Sequence, residues 1–112
     1  MPVKATARQL GISPKRLRPV LRALKGKGVQ DALEALRFAP GPTAEHVAQV
    51  LRSAAANAEH NNGMDPTRLH VVGAYANQAV QIRRFRARSR GRVGHVRRQA
   101  SHVTIWVDQV VD

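Results

Sequence analysis

The feature that most constrains the fold is a run of arginines placed between two strand-like segments. Residues 81–99, QIRRFRARSRGRVGHVRRQ, hold eight arginines and no acidic residue. Gly91 and Gly94 allow a turn within the run, so its flanks, residues 79–86 and 93–100, can pair as an antiparallel hairpin. Because such a ribbon has almost no apolar face to bury and is marginally stable by itself, we expect it to be ordered only against a partner.

The spacing of these arginines suits a chain of phosphates. Successive side chains of an extended strand point to opposite faces, so residues of equal parity share a face. At a rise of about 3.3 Å per residue, they would recur about every 6.6 Å. All basic residues of the run are Arg, whose planar guanidinium binds phosphate and stacks on bases. The run therefore favours an arm that binds a polyanion over a solvated charged loop. The arginines of this predicted ladder are Arg84, Arg86, Arg88, Arg90 and Arg92.

The charge of the whole chain points to the same kind of partner. Its 112 residues, enough for one domain, carry 19 Lys and Arg against seven Asp and Glu, a net charge of +12. This charge disfavours the compact state unless a polyanion neutralises it. Nucleic acid is the first candidate and an anionic membrane surface the second, but the arm lacks the apolar helical face of a membrane anchor.

Several other classes of protein are disfavoured by composition. The chain has no Cys, which excludes a disulfide framework and a thiolate zinc site. His46, His70, His95 and His102 lack metal-ligand spacing, so we expect no metal and no cofactor. No apolar run approaches the length of a membrane span, and the N-terminus lacks the apolar stretch of a signal peptide. An unprocessed cytoplasmic protein is the simplest interpretation, and a processed organellar one stays open.

The first half of the sequence predicts helices. Ser13 as N-cap and Pro14 at the first position begin the first helix, and Gly26 ends it. Pro19 costs about 3 kcal/mol inside a helix, which predicts a kink there or a start nearer Arg18. The apolar stripe of this helix is Leu17, Val20, Leu21 and Leu24.

A second helix is predicted over residues 29–38, with Val29, Ala32, Leu33 and Leu36 on its apolar face. A third covers residues 43–62 and ends at Gly63. Its predicted buried stripe is Ala44, Val47, Ala48, Leu51, Ala55 and Ala58.

The second half changes to a strand-like pattern. Strands are predicted over residues 69–76 and 102–111, with a weaker signal over residues 3–10. In the last strand, Val103, Ile105 and Val107 share one face. The expected fold is α+β: three helices packed on a small antiparallel sheet with one long protruding β-hairpin. We assign residues 1–112 to one domain, with residues 78–101 as the arm.

Three local features have alternative interpretations. Ser13 to Arg16 begins a helix whose N–H groups can also donate to phosphate, and an RNA-facing first helix is favoured over a solvated one. The Asn57-Ala-Glu-His60 stretch is read as a polar helix end rather than a catalytic group, since no nucleophile lies near it. Trp106 is assigned to the core or a sheet face, with base stacking as the alternative.

With these elements assigned, four stretches are specific in combination: ISPKRLRPVLRALKGKGVQDALEAL, VLRSAAANAEHNNG, RRFRARSRGR and SHVTIWV. Through them the chain resembles the bacterial-type ribosomal protein L22 family of the large subunit. The resemblance covers residues 7–108 and implies a small α+β body that binds large-subunit rRNA. It also implies a hairpin that extends along the nascent-polypeptide exit tunnel, with its tip at the constriction. The implied partners are rRNA, neighbouring ribosomal proteins and the nascent polypeptide, with no membrane and no homo-oligomer.

The resemblance transfers roles to individual positions. Ser13, Lys15 and Arg16 match the start of the family's first helix; Asn57, Glu59, His60 and Asn61 match the end of its long helix. Arg84, Arg88, Arg90, Gly91 and Arg92 match its basic tip, and Ser101, His102 and Thr104 match its returning strand. The chain departs from the family pattern at Pro19, at Ala79-Val80 in place of Gly-Pro, and at Ala87 in place of a tip proline.

The expected RNA-binding residues follow from both arguments. They are Lys15, Arg16, Arg18, Arg22, Lys25, Lys27, Arg83, Arg84, Arg86, Arg88, Arg90, Arg92, Arg97 and Arg98. The residues expected to line the tunnel at the hairpin tip are Arg86, Ala87, Arg88, Ser89, Arg90, Gly91 and Arg92.

Three classes of function remain at this point. The leading one is a structural ribosomal protein that neutralises packed phosphates with little reading of bases. The rival is a DNA-architectural protein whose β-arm enters the minor groove. An enzyme is disfavoured because acids are scarce and there is neither a Cys nor a Gly-rich phosphate loop.

Overall fold

The predicted helices and strands are all present in a computed structural model, which describes residues 2–39, 41–79, 82–87, 93–98 and 100–109. The helices are α1 (Pro14–Leu24), α2 (Val29–Phe38) and α3 (Pro42–Asn62), with a short 3-10 turn at Pro66–Arg68. The strands are β1 (Val3–Leu10), β2 (Leu69–Gln78), β3 (Ile82–Ala87), β4 (Val93–Arg98) and β5 (Ser101–Gln109). The α+β fold class is therefore confirmed.

The helices of the body pack against a three-stranded antiparallel sheet. Its order is β1-β5-β2, so the first and last strands of the chain lie side by side. Val103, Ile105 and Val107 on β5 are fully buried, which confirms the face predicted for them. Residues 110 and 111, the end of the predicted strand, lie outside the described residues.

Helix α1 begins at Pro14, so the alternative start near Arg18 is wrong, and the helix continues through Pro19. The carbonyl that Pro19 leaves without a donor belongs to Lys15, one turn earlier. Both residues are exposed, so water can satisfy this carbonyl. Gly26, just after the helix, has φ 86, a left-handed conformation that favours glycine.

Helices α2 and α3 follow the predicted apolar pattern with one shift. Ala54 of α3 is fully buried, whereas Ala55, which was predicted to be buried, is half-buried. Ala54 and Ala58 are both fully buried in the core, where their small side chains allow neighbouring elements to approach α3 closely. Gly63 ends α3 with φ 62, and its N–H bonds to the carbonyls of Ala58 and Glu59.

The arm, defined as β3 and β4, forms a two-stranded sheet separate from the sheet of the body. Ala87 pairs with Val93 and Ile82 with Arg98. Gly94 lies within β4 opposite Arg86, inside the flank of residues 93–100 that was predicted to pair. Gly91 lies outside the described residues.

The chain is strongly elongated. Its radius of gyration is 17.1 Å and its longest dimension is 67 Å, whereas a compact chain of this length has a radius of gyration of about 13 Å. At the base of the arm, the N–H of Ala79 donates to the carbonyl of Ala100 at 2.9 Å. The arm is therefore an outward continuation of the β2–β5 pair.

Candidate nucleic-acid interface

Helix α1 has one apolar face and one cationic face. Leu17, Leu21 and Leu24 are buried in the core. Because residues on the opposite side of a helix then face solvent, the basic residues form an exposed strip, and no acidic residue occurs from Ser13 to Gln30. The exposed basic residues of this helix are Lys15, Arg16, Arg18 and Arg22.

The backbone at the start of α1 contributes less to anion binding than the sequence suggested. Pro14 has no N–H, and the N–H groups of Arg16 and Leu17 donate to the carbonyl of Ser13, at 3.1 and 3.4 Å. Among the described residues, no backbone acceptor is found for the N–H of Lys15 in this first turn. Attraction of phosphate to this helix start therefore depends mainly on the side chains of Lys15 and Arg16.

The loop after α1 places two further cations beside this strip. Gly26 N–H donates to Val71 O at 2.9 Å, and Val71 N–H donates to Lys27 O at 2.9 Å. These two backbone bonds fix the loop against β2. Lys25 and Lys27 are exposed in it, so the rigid loop extends the cationic face of α1.

The arm brings like charges together across its strands. Strands β3 and β4 contain five arginines and no acidic residue, and the register places Arg83 directly opposite Arg97. Like charges in directly opposed positions of an antiparallel pair are destabilising. A bound polyanion would remove this repulsion. The other predicted arm residues, Arg88, Ser89, Arg90, Gly91 and Arg92, lie outside the described residues, and with them three members of the predicted arginine ladder.

A buried hydroxyl joins the base of the arm to the start of α1. Ser101, the first residue of β5, is fully buried. Its hydroxyl donates to the carbonyl of Ile12, and Ser101 also pairs with Leu10 of β1. The segment that enters α1 is therefore held at the base of the arm, which brings the two predicted RNA-binding elements to one region of the molecule.

We expect Ser101→Ala to destabilise the protein by about 1–3 kcal/mol, because it removes the fully buried hydroxyl that donates to the Ile12 carbonyl. Chemical denaturation measures this change. Thr6→Ala is the control: its hydroxyl contacts that of Thr104 at 3.3 Å, but Thr6 is exposed, and we expect a change of about 0.5 kcal/mol. Equal stability of the Ser101→Ala variant and wild type would show that this bond does not hold the arm base.

One polar residue at the end of α3, Asn57, has a structural role. The Asn57 amide donates to the carbonyl of Lys4 at 3.4 Å, which ties the helix to β1. Glu59, His60 and Asn61 are exposed. Within the described part of the chain, no group of three His, Cys, Asp or Glu residues could hold a metal ion. None of the described helices is both long and apolar enough to span a membrane.

An aromatic cluster on the outer face of the body sheet was not predicted from the sequence. Trp106 is half-buried there, as the sheet-face interpretation required, and its Nε1 donates to the hydroxyl of Tyr75 at 2.9 Å. The ammonium of Lys4 lies 5.3 Å from the centroid of the Trp106 ring. These three residues come from three different strands, so only the register of the sheet brings them together.

Comparisons with known proteins agree with the resemblance seen in the sequence. A model of the family described as ribosomal protein L22p/L17e matches residues 5–108. The chain is 47% identical over 105 residues to the large ribosomal subunit protein uL22 of Synechococcus sp. (strain ATCC 27144 / PCC 6301 / SAUG 1402/1), covering 94% of this chain and 90% of the relative. It is 48% identical to uL22 of Synechococcus sp. (strain JA-2-3B'a(2-13)), covering 94% of this chain and 85% of that relative.

Proposed function

The chain belongs to the ribosomal protein L22p/L17e family, and from this membership we propose that it binds large-subunit rRNA and lines the nascent-polypeptide exit tunnel with its arm. The family is structural and non-enzymatic. The chain is accordingly a structural constituent of the large subunit, located in the cytoplasmic ribosome.

The observation that carries the rRNA-binding proposal is the charge of the arm. Five arginines occupy two short paired strands with no acid among them, and Arg83 pairs directly with Arg97. An isolated two-stranded ribbon is marginal in water, and like charges in directly opposed positions lower its stability further. Packed phosphates along both strands would neutralise that charge and stabilise the extended shape.

The body would bind the same RNA through the cationic strip of α1. Lys15, Arg16, Arg18 and Arg22 are exposed, as are Lys25 and Lys27 in the following loop. These contacts position the protein on the phosphate backbone and carry little sequence information. Recognition then depends on the shape of the folded RNA.

The tunnel proposal rests on family membership and on the reach of the arm. The 67 Å length of the molecule allows the body to stay at the edge of the RNA while the tip, residues 86–92, extends into it. Neighbouring ribosomal proteins would contact the body, and the nascent polypeptide would pass the tip. In this arrangement, one copy of the chain serves each subunit.

A binding competition separates the ribosomal function from the rival DNA-architectural one. Labelled protein bound to large-subunit rRNA is challenged with duplex DNA at matched salt and matched nucleotide concentration. We expect the rRNA to be retained, since the cationic surfaces fit the irregular backbone of folded RNA. Equal or better binding of duplex DNA would overturn the proposal.

Photo-crosslinking tests the tunnel proposal separately. A crosslinker placed at Ser89 in ribosomes that carry a stalled nascent chain should form an adduct with that chain. The same crosslinker at exposed Arg52 on α3 is the control and should form none. Adducts to rRNA alone from position 89 would contradict the tunnel role while leaving rRNA binding intact.

A further inference from the structure

The outer face of the body sheet carries an aromatic surface that is separate from the two proposed RNA-binding elements, the arm and α1. We call it the aromatic patch and define it as Lys4, Tyr75 and Trp106. Tyr75 is 45% exposed. Lys4 and Arg8 are exposed on β1 of the same sheet.

The sheet beneath the patch fixes its geometry. Gly73 pairs with Trp106 across β2 and β5, and a Cβ added at Gly73 would lie 3.7 Å from Cδ1 of the indole. The indole therefore lies close over the glycine. From there its Nε1 donates to the hydroxyl of Tyr75 at 2.9 Å, which restrains the Tyr75 side chain at the surface.

The charge around the patch is positive. The ammonium of Lys4 lies 5.3 Å from the centre of the Trp106 ring, and Arg8 follows on the same strand. Strands β1, β2 and β5 contain one acidic residue, Asp108, two positions after Trp106 on β5, and Lys4 and Arg8 outnumber it. An exposed aromatic ring flanked by cations on a sheet is the arrangement with which proteins bind unpaired nucleotides, the base on the ring and the phosphate on the cation.

We propose that the aromatic patch is a second RNA site, which binds an unpaired nucleotide of rRNA by stacking its base on Tyr75. Lys4 and Arg8 contact the phosphates of that nucleotide and its neighbour. Trp106 is a positioning residue that holds the Tyr75 hydroxyl. This inference rests on the proposed rRNA-binding function, and it adds a contact to a base where α1 and the arm contact phosphates.

Protein partners fit this surface less well. A stable protein interface buries about 800 Å² on each side around an apolar centre, whereas the aromatic patch has only two aromatic rings, with Lys4 against one of them. A second copy of the chain would bring two net charges of +12 against one another. An RNA nucleotide supplies both the flat apolar face and the negative charge that the patch lacks.

The single Trp of the chain makes the site directly observable. Trp106 is the only tryptophan, so its fluorescence reports on this face alone. Addition of a short single-stranded oligoadenylate to the full-length protein should quench that fluorescence. Tyr75→Ala should weaken oligoadenylate binding by about 5- to 150-fold, the loss of one stacked base. Tyr75→Phe keeps the ring and should bind within a few-fold of wild type, which separates stacking from the hydrogen bond.

Two controls make the result decisive. Phe38→Ala removes another exposed aromatic side chain, 76% exposed on α2, and should leave oligoadenylate binding unchanged. Lys4→Gln should weaken binding and reduce its salt dependence by about one phosphate contact. Circular dichroism checks that each variant is folded.

The outcomes distinguish this inference from the proposed function. If wild type binds large-subunit rRNA but Trp106 fluorescence does not respond to RNA and Tyr75→Ala binds like wild type, the aromatic patch is not an RNA site while the proposed function stands. If wild type does not bind large-subunit rRNA at all, the proposed function itself fails. A fluorescence change that depends on protein concentration without RNA would assign the patch to self-association and overturn the inference.

Discussion

Replacing the five described arginines of the arm with glutamine should strongly reduce the salt dependence of rRNA binding. The positions are Arg83, Arg84, Arg86, Arg97 and Arg98. Each phosphate contact contributes about 0.7–0.9 to the slope of log affinity against log salt. Loss of five contacts should therefore lower that slope by about 3.5–4.5. Filter binding of large-subunit rRNA across a salt series measures the slope directly.

The change in slope also determines the expected change in rRNA affinity. Between about 50 and 200 mM salt, wild type should lose about 100- to 500-fold more affinity than the glutamine variant. A variant with lysine at all five positions keeps the charge and should keep most of the slope. Glutamine at Arg37 and Arg52, exposed arginines on α2 and α3, is the control outside the proposed interface. A wild-type slope in the five-glutamine variant would mean that the arm does not bind phosphates.

The second large effect concerns the core beneath the cationic strip of α1. Leu17 is fully buried and packs α1 against the rest of the body. Leu17→Ala removes this contact and leaves a cavity, which should lower the free energy of unfolding by about 2–5 kcal/mol. Small domains have only about 5–15 kcal/mol in total, so the loss should be plain in urea denaturation followed by the fluorescence of Trp106.

The neighbouring residue on the same helix provides the matched control. Arg18 is exposed, so Arg18→Gln should change stability by no more than about 0.5 kcal/mol. It should nevertheless lower the salt slope of rRNA binding by about one contact. Leu17→Ala and Arg18→Gln, at neighbouring positions of α1, therefore distinguish an effect on folding from an effect on RNA binding. If Leu17→Ala unfolded at the wild-type urea concentration, the packing described for α1 would be wrong.

Local patterns in the sequence were sufficient to predict most of the fold. The apolar spacing of α2 and α3 and the alternation in β5 follow directly from which side chains must be buried. Pro14 and Gly63 mark helix ends for steric reasons that act within a few residues. The arm was predicted because the run of arginines lies between two strand-like segments and contains glycines that allow a turn.

Features that depend on long-range pairing were not predictable. Between Val71 and Gly73 the register of β2 shifts, and such a bulge reverses which residues face the core. Simple alternation would place Tyr75 on the same face as buried Val71. The bulge turns Tyr75 outward instead, beside Trp106. The aromatic patch therefore depends on a register that no local pattern specifies.

In the candidate interface, too, local patterns predict some features and long-range contacts determine others. The exposed basic residues of α1 follow from helical periodicity, since its leucines must face the core. The bond from Ser101 to Ile12, which brings the arm base beside α1, joins residues far apart in the chain. Gly94 is a further example. Its position opposite Arg86 follows from the pairing of the two strands, although glycine can also occupy a turn.

Sedimentation of a tagged copy of the chain from a cell lysate, through a high-salt wash, tests the central claim most directly. We expect wild type to move with large ribosomal subunits and to be released when the RNA is digested by ribonuclease. The five-glutamine arm variant should be washed off at a lower salt concentration. Recovery of the wild-type chain at the top of the gradient, or its release by deoxyribonuclease instead of ribonuclease, would contradict a structural role held in place by rRNA.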